Sequence, residues 1–562
     1  YWNWVSGTGR KWPWLSELRA TIPVLILFAI LIVLPQERLR GAAIKKHREV
    51  FKTPTMKSSI IWGITFVVIV SGLTPMLETK WEFSLSKGIG FSIIALSMVL
   101  LTGYAGEINL APLAFAGIGA LSAYQFDVGS TVETGAGFAT LATGLALLFA
   151  FLVLSAFGFK RRKLWMLSVS IALLTLLLVT IFDGTTGTGI ASRESLSISA
   201  LLVATLVSGI TGALVALPAL RLRGLYLGLA TFAFAIFVDK MVYKQRQTLS
   251  LDIPFIGDGE DITFNIFNNG ALNMPRPEFL SINFKNNQSG MLILLAICFT
   301  LIALLLVQLK RSSYGRQLSA MKDSPAASAT LGLNMLRLKL SVFTLAAAIA
   351  GFGGALHASN LRAIQEDAPF TVFEGLGLFM LTVVGGIGYV SGALIGGILY
   401  GTAFIVMGDF WAKLATDWNS FNWLFTFLHD FFLFLGPAVA GIGLGRNPNG
   451  IAAQIFDGFR VLGKRESRRI LAIMVIIIIS VWVLRVSEVI DGWTFLLLSL
   501  PILLVSTLIA DKKSNLAQTE TRNWELLGLD AEISMKDEAF LDETLNLGFT
   551  KPQQVSQADG YE

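Results

Sequence analysis

Runs of about twenty apolar residues recur along the chain, as in 88–104 and 291–309, and twenty is the length a helix needs to cross a roughly 30 Å hydrocarbon core. These runs are apolar on every face and lack the alternation of a barrel strand, so they read as helices. Spans are predicted near 20–34, 58–76, 88–104, 108–126, 136–158, 164–182, 196–218, 224–239, 291–309, 339–358, 372–388, 392–408, 421–443, 470–484 and 493–510. The expected fold is an all-α polytopic transmembrane bundle of about fifteen spans, with broken helices along a translocation pathway. With 54% hydrophobic and 15% charged residues, a soluble enzyme and a disordered scaffold are both excluded.

Other counts remove further classes. Cys298 is the only cysteine and lies in an apolar run, and three histidines (His47, His357, His429) are too scattered for a metal motif. Residues 511–562 hold five Lys/Arg against eleven Asp/Glu, an acidic tail that leaves the membrane part strongly basic. Such an excess on a membrane protein belongs to cytoplasmic loops rather than to a nucleic-acid site, and no nucleic-acid partner is expected. No signal-peptide cleavage pattern is found, and a start at Tyr1 reads as a processed or truncated beginning.

The basic residues orient the spans. Loop 36–57 carries seven Lys/Arg, residues 160–163 read Lys-Arg-Arg-Lys, and loops 310–339 and 444–469 carry six each. Alternating in and out puts all four on one side, which the positive-inside rule makes cytoplasmic, with the N-terminus outside and the tail inside. The long external loop 240–290 has five basic and five acidic residues with Pro254, Pro275 and Pro277 as breakers. It reads either as a solvated cap or as a docking surface.

Three stretches differ from inert lipid anchors. In Thr102–Gly119, Gly103, Tyr104, Gly106, Glu107, Asn109 and Pro112 fall together between two apolar runs. A break of this kind survives at membrane depth only beside protein or a watery cavity. A carboxylate at mid-bilayer costs about 2.5–3.5 kcal/mol, so Glu107 either faces an interior pathway or sits in headgroups at a helix end. In Arg221–Phe234, a span of about sixteen residues suits a discontinuous helix, with Tyr226 and Thr231 able to reach a polar ligand; an ordinary span with an interfacial Tyr is the other reading. In Tyr314–Asn334, Ser324 is a good N-cap, Pro325 suits the first helical position and Gly332 can end the helix in the left-handed conformation. This describes a short amphipathic helix along the cytoplasmic surface, shaped to enter a partner's groove through Gly315, Arg316, Ser324, Pro325, Ala326, Ala327, Leu331 and Gly332. Small residues at spacing four (Ala347, Gly351, Ala355; Gly388, Gly392, Gly396) let helices approach closely.

In this order, the stretches resemble the permease subunit of the branched-chain amino acid (LIV-type) ABC importers. Gly103–Gly106 matches the family's Gly-Tyr-Ala-Gly, Arg223–Leu227 its Arg-Gly-Leu-Tyr-Leu, and Tyr314–Lys339 its cytoplasmic stretch. Val384–Gly388 and Asn447–Gly450 are similar to its late glycine turn and terminal Pro-x-Gly. The resemblance covers roughly 55–455 and implies a permease domain over 52–455. A span and Leu34-Pro35-Gln36 within 1–45 are similar to the end of the sister permease, as in a fusion; a designed extra helix is the alternative. An extra hairpin over 456–510 and the tail 511–562 lie outside the resemblance. Two departures, Glu107 where the family commonly has Gln and Pro112 where it has His, put substrate preference in doubt.

The resemblance implies a permease that is not an enzyme. It would work with a sister permease half, two cytoplasmic ATPase subunits that hydrolyse ATP, and an external solute-binding protein, in a bacterial inner membrane with its lipid. The chain holds no Gly-x4-Gly-Lys-Ser/Thr loop, and neither a bound cofactor nor a metal is expected. An ion-coupled secondary transporter is the main rival, with Glu107, Glu374 and a His429–Asp430 relay as its candidate groups. A lipid-acting membrane enzyme would need clustered acids or histidines at a cytoplasmic mouth, which the sequence lacks.

Overall fold

In a computed structural model of the chain, the described residues are 54–127, 136–155, 161–182, 196–219, 222, 224–240, 249–251, 262–264, 271–279, 282–365, 370–418, 421–430, 468–487 and scattered positions between 489 and 509. The expected span 20–34, the phrase 447–450 and the tail 511–562 lie outside them. The chain divides into two compact units, Tyr1–Gln454 and Ile455–Glu562.

In the first unit the helices are α1 (Met56–Leu73), α2 (Thr79–Met98), α3 (Pro112–Asp127), α4 (Ala136–Ser155), α5 (Arg161–Phe182), α6 (Ile198–Ala219) and α7 (Leu225–Val238). After them come α8 (Gln288–Arg311), α9 (Ser313–Asp323), α10 (Pro325–Thr330), α11 (Met335–Leu361), α12 (Val372–Gly386), α13 (Val390–Ile398), α14 (Phe404–Asp417) and α15 (Asn422–Asp430). A π-helical stretch, Val99–Tyr104, continues α2, and another, Leu399–Ala403, joins α13 to α14. The second unit holds α16 (Arg468–Val486), whose Met474 packs with Ile470, Leu471, Ile478 and Ile502. Among the described residues six helices are long and apolar enough to cross a membrane, and four shorter apolar ones accompany them. The protein is an all-α polytopic membrane protein.

The centre of the first unit is made by α2 and α11, the two spans buried along most of their length, while α1 turns Ile61, Trp62 and Val68 outward as a lipid-facing helix does. Small residues allow the tight centre. A Cβ on Gly119 of α3 would lie 2.4 Å from the Gly351 Cα of α11, closer than any side chain tolerates. Close backbone approach is how membrane helices gain dispersion energy where lipid removes the hydrophobic drive.

Polar contacts sort helix ends into two faces. At one face the starts of α2 and α8 meet the end of α11: Gln288 donates from Nε2 to Ser86 Oγ at 3.1 Å and to Asn360 Oδ1 at 3.2 Å. There too Lys80 pairs with Asp409 at 3.0 Å. At the other face lie the ends of α2 and α8, the starts of α3 and α11, and the basic 310–339 loop. The long loop 240–290 contributes what the span pattern did not foresee, a set of short strands. Within it β1 (Leu249–Leu251) pairs with β2 (Ile262–Phe264), and β4 (Glu278–Phe279) with β5 (Ile282–Asn283). β3 (Ala271–Asn273) runs antiparallel to β6 (Ala363–Gln365), with Leu272 opposite Ile364. Leu196 bridges Pro277, and Ser359 Oγ donates to Pro275 O at 2.7 Å. The loop is thus stitched to the ends of α6 and α11.

Candidate functional site

The break after α2 is built from backbone groups that leave the helix ladder. Through the π-turn Ala105 N donates to Leu100 O at 3.2 Å, and Glu107 N reaches back to Leu101 O at 3.1 Å across Gly106. Gly106 has φ +73°, the left-handed geometry that ends a helix and that glycine adopts without a Cβ penalty. The chain then turns at Asn109, whose Oδ1 accepts from Ala111 N at 2.9 Å, and Pro112 opens α3. Leu110 N, left without a helical partner, donates to Thr231 Oγ1 of α7 at 3.0 Å, and that hydroxyl donates in turn to Gly228 O at 2.9 Å.

Thr231 is fully buried, so its hydroxyl locks the first break to the second unusual segment rather than facing a ligand. Thr231→Val keeps the shape but leaves the part-buried Leu110 N–H without its acceptor, and should cost about 1 kcal/mol, which Thr231→Ser restores. Thermal unfolding of the detergent-purified protein checks it. The short span itself is as expected: α7 has 14 residues and covers roughly 21 Å. Tyr226, the other ligand-reaching candidate, is half-buried against the core.

α2 and its π-turn together run 26 residues, roughly 39 Å, so the break lies at one end of the bundle and not at mid-depth. It is nonetheless enclosed. Glu107, 8% exposed, pairs with Lys339 of α11 at 2.6 Å. Lys322 of α9 donates to Gly103 O at 3.1 Å, and Lys310 of α8 lies 4.6 Å over the Tyr104 ring. A Cβ on Gly103 would stand 2.2 Å from Ile387 O, so the glycine turn between α12 and α13 rests on the break. Three segments distant in sequence, the break, the basic 310–339 loop and the glycine turn, therefore meet at this face.

That loop is two helices, not one. Ser312 Oγ caps α9 by accepting from Gly315 N at 3.3 Å; α9 buries Tyr314, Leu318 and Met321 on one face and exposes Arg316 on the other. The amphipathic pattern expected of 324–332 belongs to α9. Burial pushes the Tyr314 phenol above its ordinary range, keeping it neutral in its 2.7 Å hydrogen bond with Ser341. The shorter α10 has the caps read from sequence: Ser324 Oγ accepts from Ala327 N at 3.3 Å, Pro325 opens the helix, and Gly332 follows it at φ +83°. Of its six residues only Ser328 is buried, while Ala326, Ala327 and the following Leu331 (82% exposed) face out.

Lys310, Lys322 and Lys339 were counted from sequence as loop charges, and their buried or ring-facing partners are the part the sequence hid. His429 Nδ1 is 2.8 Å from Gly408 O, and the Asp430 side chain lies outside the described residues. Glu374 is at the opposite face, in the first turn of α12.

The described residues thus form a helical membrane bundle with a broken segment enclosed beneath an exposed capped helix. The family described as branched-chain amino acid transport system / permease component matches residues 134–435, and the chain belongs to it. That match takes in the second segment, the helix pair and the glycine turn, and starts after the first break. Over 205 residues the chain is 28% identical to the high-affinity branched-chain amino acid transport system permease protein LivM of Salmonella typhimurium and to LivM of Escherichia coli. Each alignment takes 33% of this chain and 44% of the relative, so the chain spans under half the length of the curated relatives it matches. No solved structure matches.

Proposed function

We propose that the chain is a permease subunit of an ATP-driven importer of branched-chain or related amino acids, in a bacterial inner membrane. The basic-loop face is cytoplasmic in this reading, and α10 is the contact with separate ATPase subunits. One observation carries it: an exposed, doubly capped helix whose neighbour α9 touches the broken segment through Lys322 and Gly103. A partner that grips α10 differently with and without ATP would shift the bundle between its conformations, because only a differential contact moves such an equilibrium. A sister permease half and an external solute-binding protein complete the assembly. Of the groups an ion-coupled carrier could draw on, Glu107 is paired with Lys339 at 2.6 Å.

Reconstitution with two ATPase subunits, the sister permease and the binding protein should give leucine uptake that needs ATP. Leu331→Asp should cut that uptake about tenfold or more and release the ATPases on size-exclusion chromatography. Stability should stay within about 0.5 kcal/mol, because the side chain is exposed. Leucine uptake under a proton gradient without ATP overturns the proposal.

A further inference from the structure

The opposite face holds a second polar cluster that the packing leaves incomplete. His357 and Asn360 of α11 are both 0% exposed, yet neither ring nitrogen of His357 and not the amide nitrogen of Asn360 has a hydrogen-bond partner. Glu374 Oε2 of α12 is likewise buried and unpartnered. Lys87 of α2 lies within electrostatic reach of both Glu374 and His357, and Glu374 within reach of Tyr400 in the π-helical stretch after α13. Apolar rings close the cluster: Phe91 sits 4.2 Å and Phe370 6.3 Å from the His357 ring, and Phe91 is 5.0 Å from Tyr400.

Buried polar atoms are ordinarily satisfied, and four unsatisfied ones gathered from two helices call for a missing partner. The partner must meet one cation and one anion that do not pair with each other, two or three neutral hydrogen-bonding groups, and an aromatic wall. A few convergent polar groups among apolar side chains are what a small-ligand site is built from. We infer that this cluster is a subsite for an α-amino acid zwitterion. Lys87 receives the carboxylate, Glu374 receives the ammonium, His357 and Asn360 supply further hydrogen bonds, and Phe91 with Phe370 flanks an apolar side chain. The inference rests on the amino acid transport reading and adds to it where the ligand binds: the face on which a solute delivered from outside would arrive.

The test is equilibrium binding of radiolabelled leucine to the purified complex with its ATPases and sister permease but without the binding protein, beside ATP-driven uptake with it. Leucinamide lacks the carboxylate and 4-methylpentanoate lacks the ammonium, and both should compete poorly. Lys87→Met and Glu374→Gln should each weaken leucine binding about tenfold to a hundredfold. Lys87→Met should lose the bias against leucinamide and Glu374→Gln the bias against 4-methylpentanoate. Lys87→Arg and Glu374→Asp, which keep the charges, should retain most binding and guard against misfolding. Uptake by the wild type with binding unchanged in both neutral variants, or with no binding to the complex, leaves a hydrated polar cluster only and overturns the subsite while the transport reading stands. No ATP-driven leucine uptake by the wild type overturns both.

Discussion

Lys339→Met should lower the stability of the protein by about 3–5 kcal/mol, because it strands Glu107 in a buried site. The pair is 2.6 Å apart with side chains 9% and 10% exposed, so solvent screens neither group. Glu107→Gln should cost less, since glutamine can still accept from the lysine. The double variant Glu107→Gln with Lys339→Met should recover most of the loss, because a buried pair replaced as a whole returns the desolvation of both charges. Thermal unfolding in detergent, read by the retained size-exclusion peak, gives the order: wild type and double variant high, Lys339→Met low. If the single and double variants unfold together, Glu107 is hydrated and the enclosure of the break is wrong.

How much of this could be read beforehand depended on distance along the chain. Helices and their caps are local: Ser324, Pro325 and Gly332 act on backbone within a turn, and all three did what their chemistry predicts. The short α7 followed from counting apolar residues against bilayer thickness. Partners were another matter. Glu107 and Lys339 lie in one enclosed corner only because α2 and α11 cross, and nothing near either residue names the other. Thr231 has the same history, since its hydroxyl is taken by Leu110 N, a donor freed by a break more than a hundred residues earlier. The strands of the 240–290 loop are two or three residues long, too short to show a period-two pattern, and β3 pairs with β6, about ninety residues further along the chain. Depth was left open between an interior pathway and a helix end, and it takes the full 26-residue extent of α2 with its π-turn to put the break at a face.

Lys322→Met should separate two quantities that Leu331→Asp removes together. Lys322 is on α9, one turn before the exposed α10, and its ammonium reaches Gly103 O, a carbonyl of the last turn before the chain leaves the helix. A cation there also favours the negative end of that helix. Its stem fills the space beside Gly106, where an added Cβ would come 2.7 Å from Lys322 Cγ. The residue is thus a short tether between the surface a partner would grip and the broken segment. Losing one charge-assisted hydrogen bond should cost about 1.5–3 kcal/mol of stability, which the fold can bear. Coupling should suffer more: ATP-driven leucine uptake is expected to fall about tenfold or more. The ATPases should stay bound and keep hydrolysing ATP, because α10 itself is untouched. Lys322→Arg, which can still reach the carbonyl, should keep a substantial part of the uptake. Loss of ATPase binding in Lys322→Met would make Lys322 a docking residue instead. Unchanged uptake would mean that force enters the bundle by another route, with the covalent connection from α10 into α11 and its Lys339–Glu107 pair as the next place to cut.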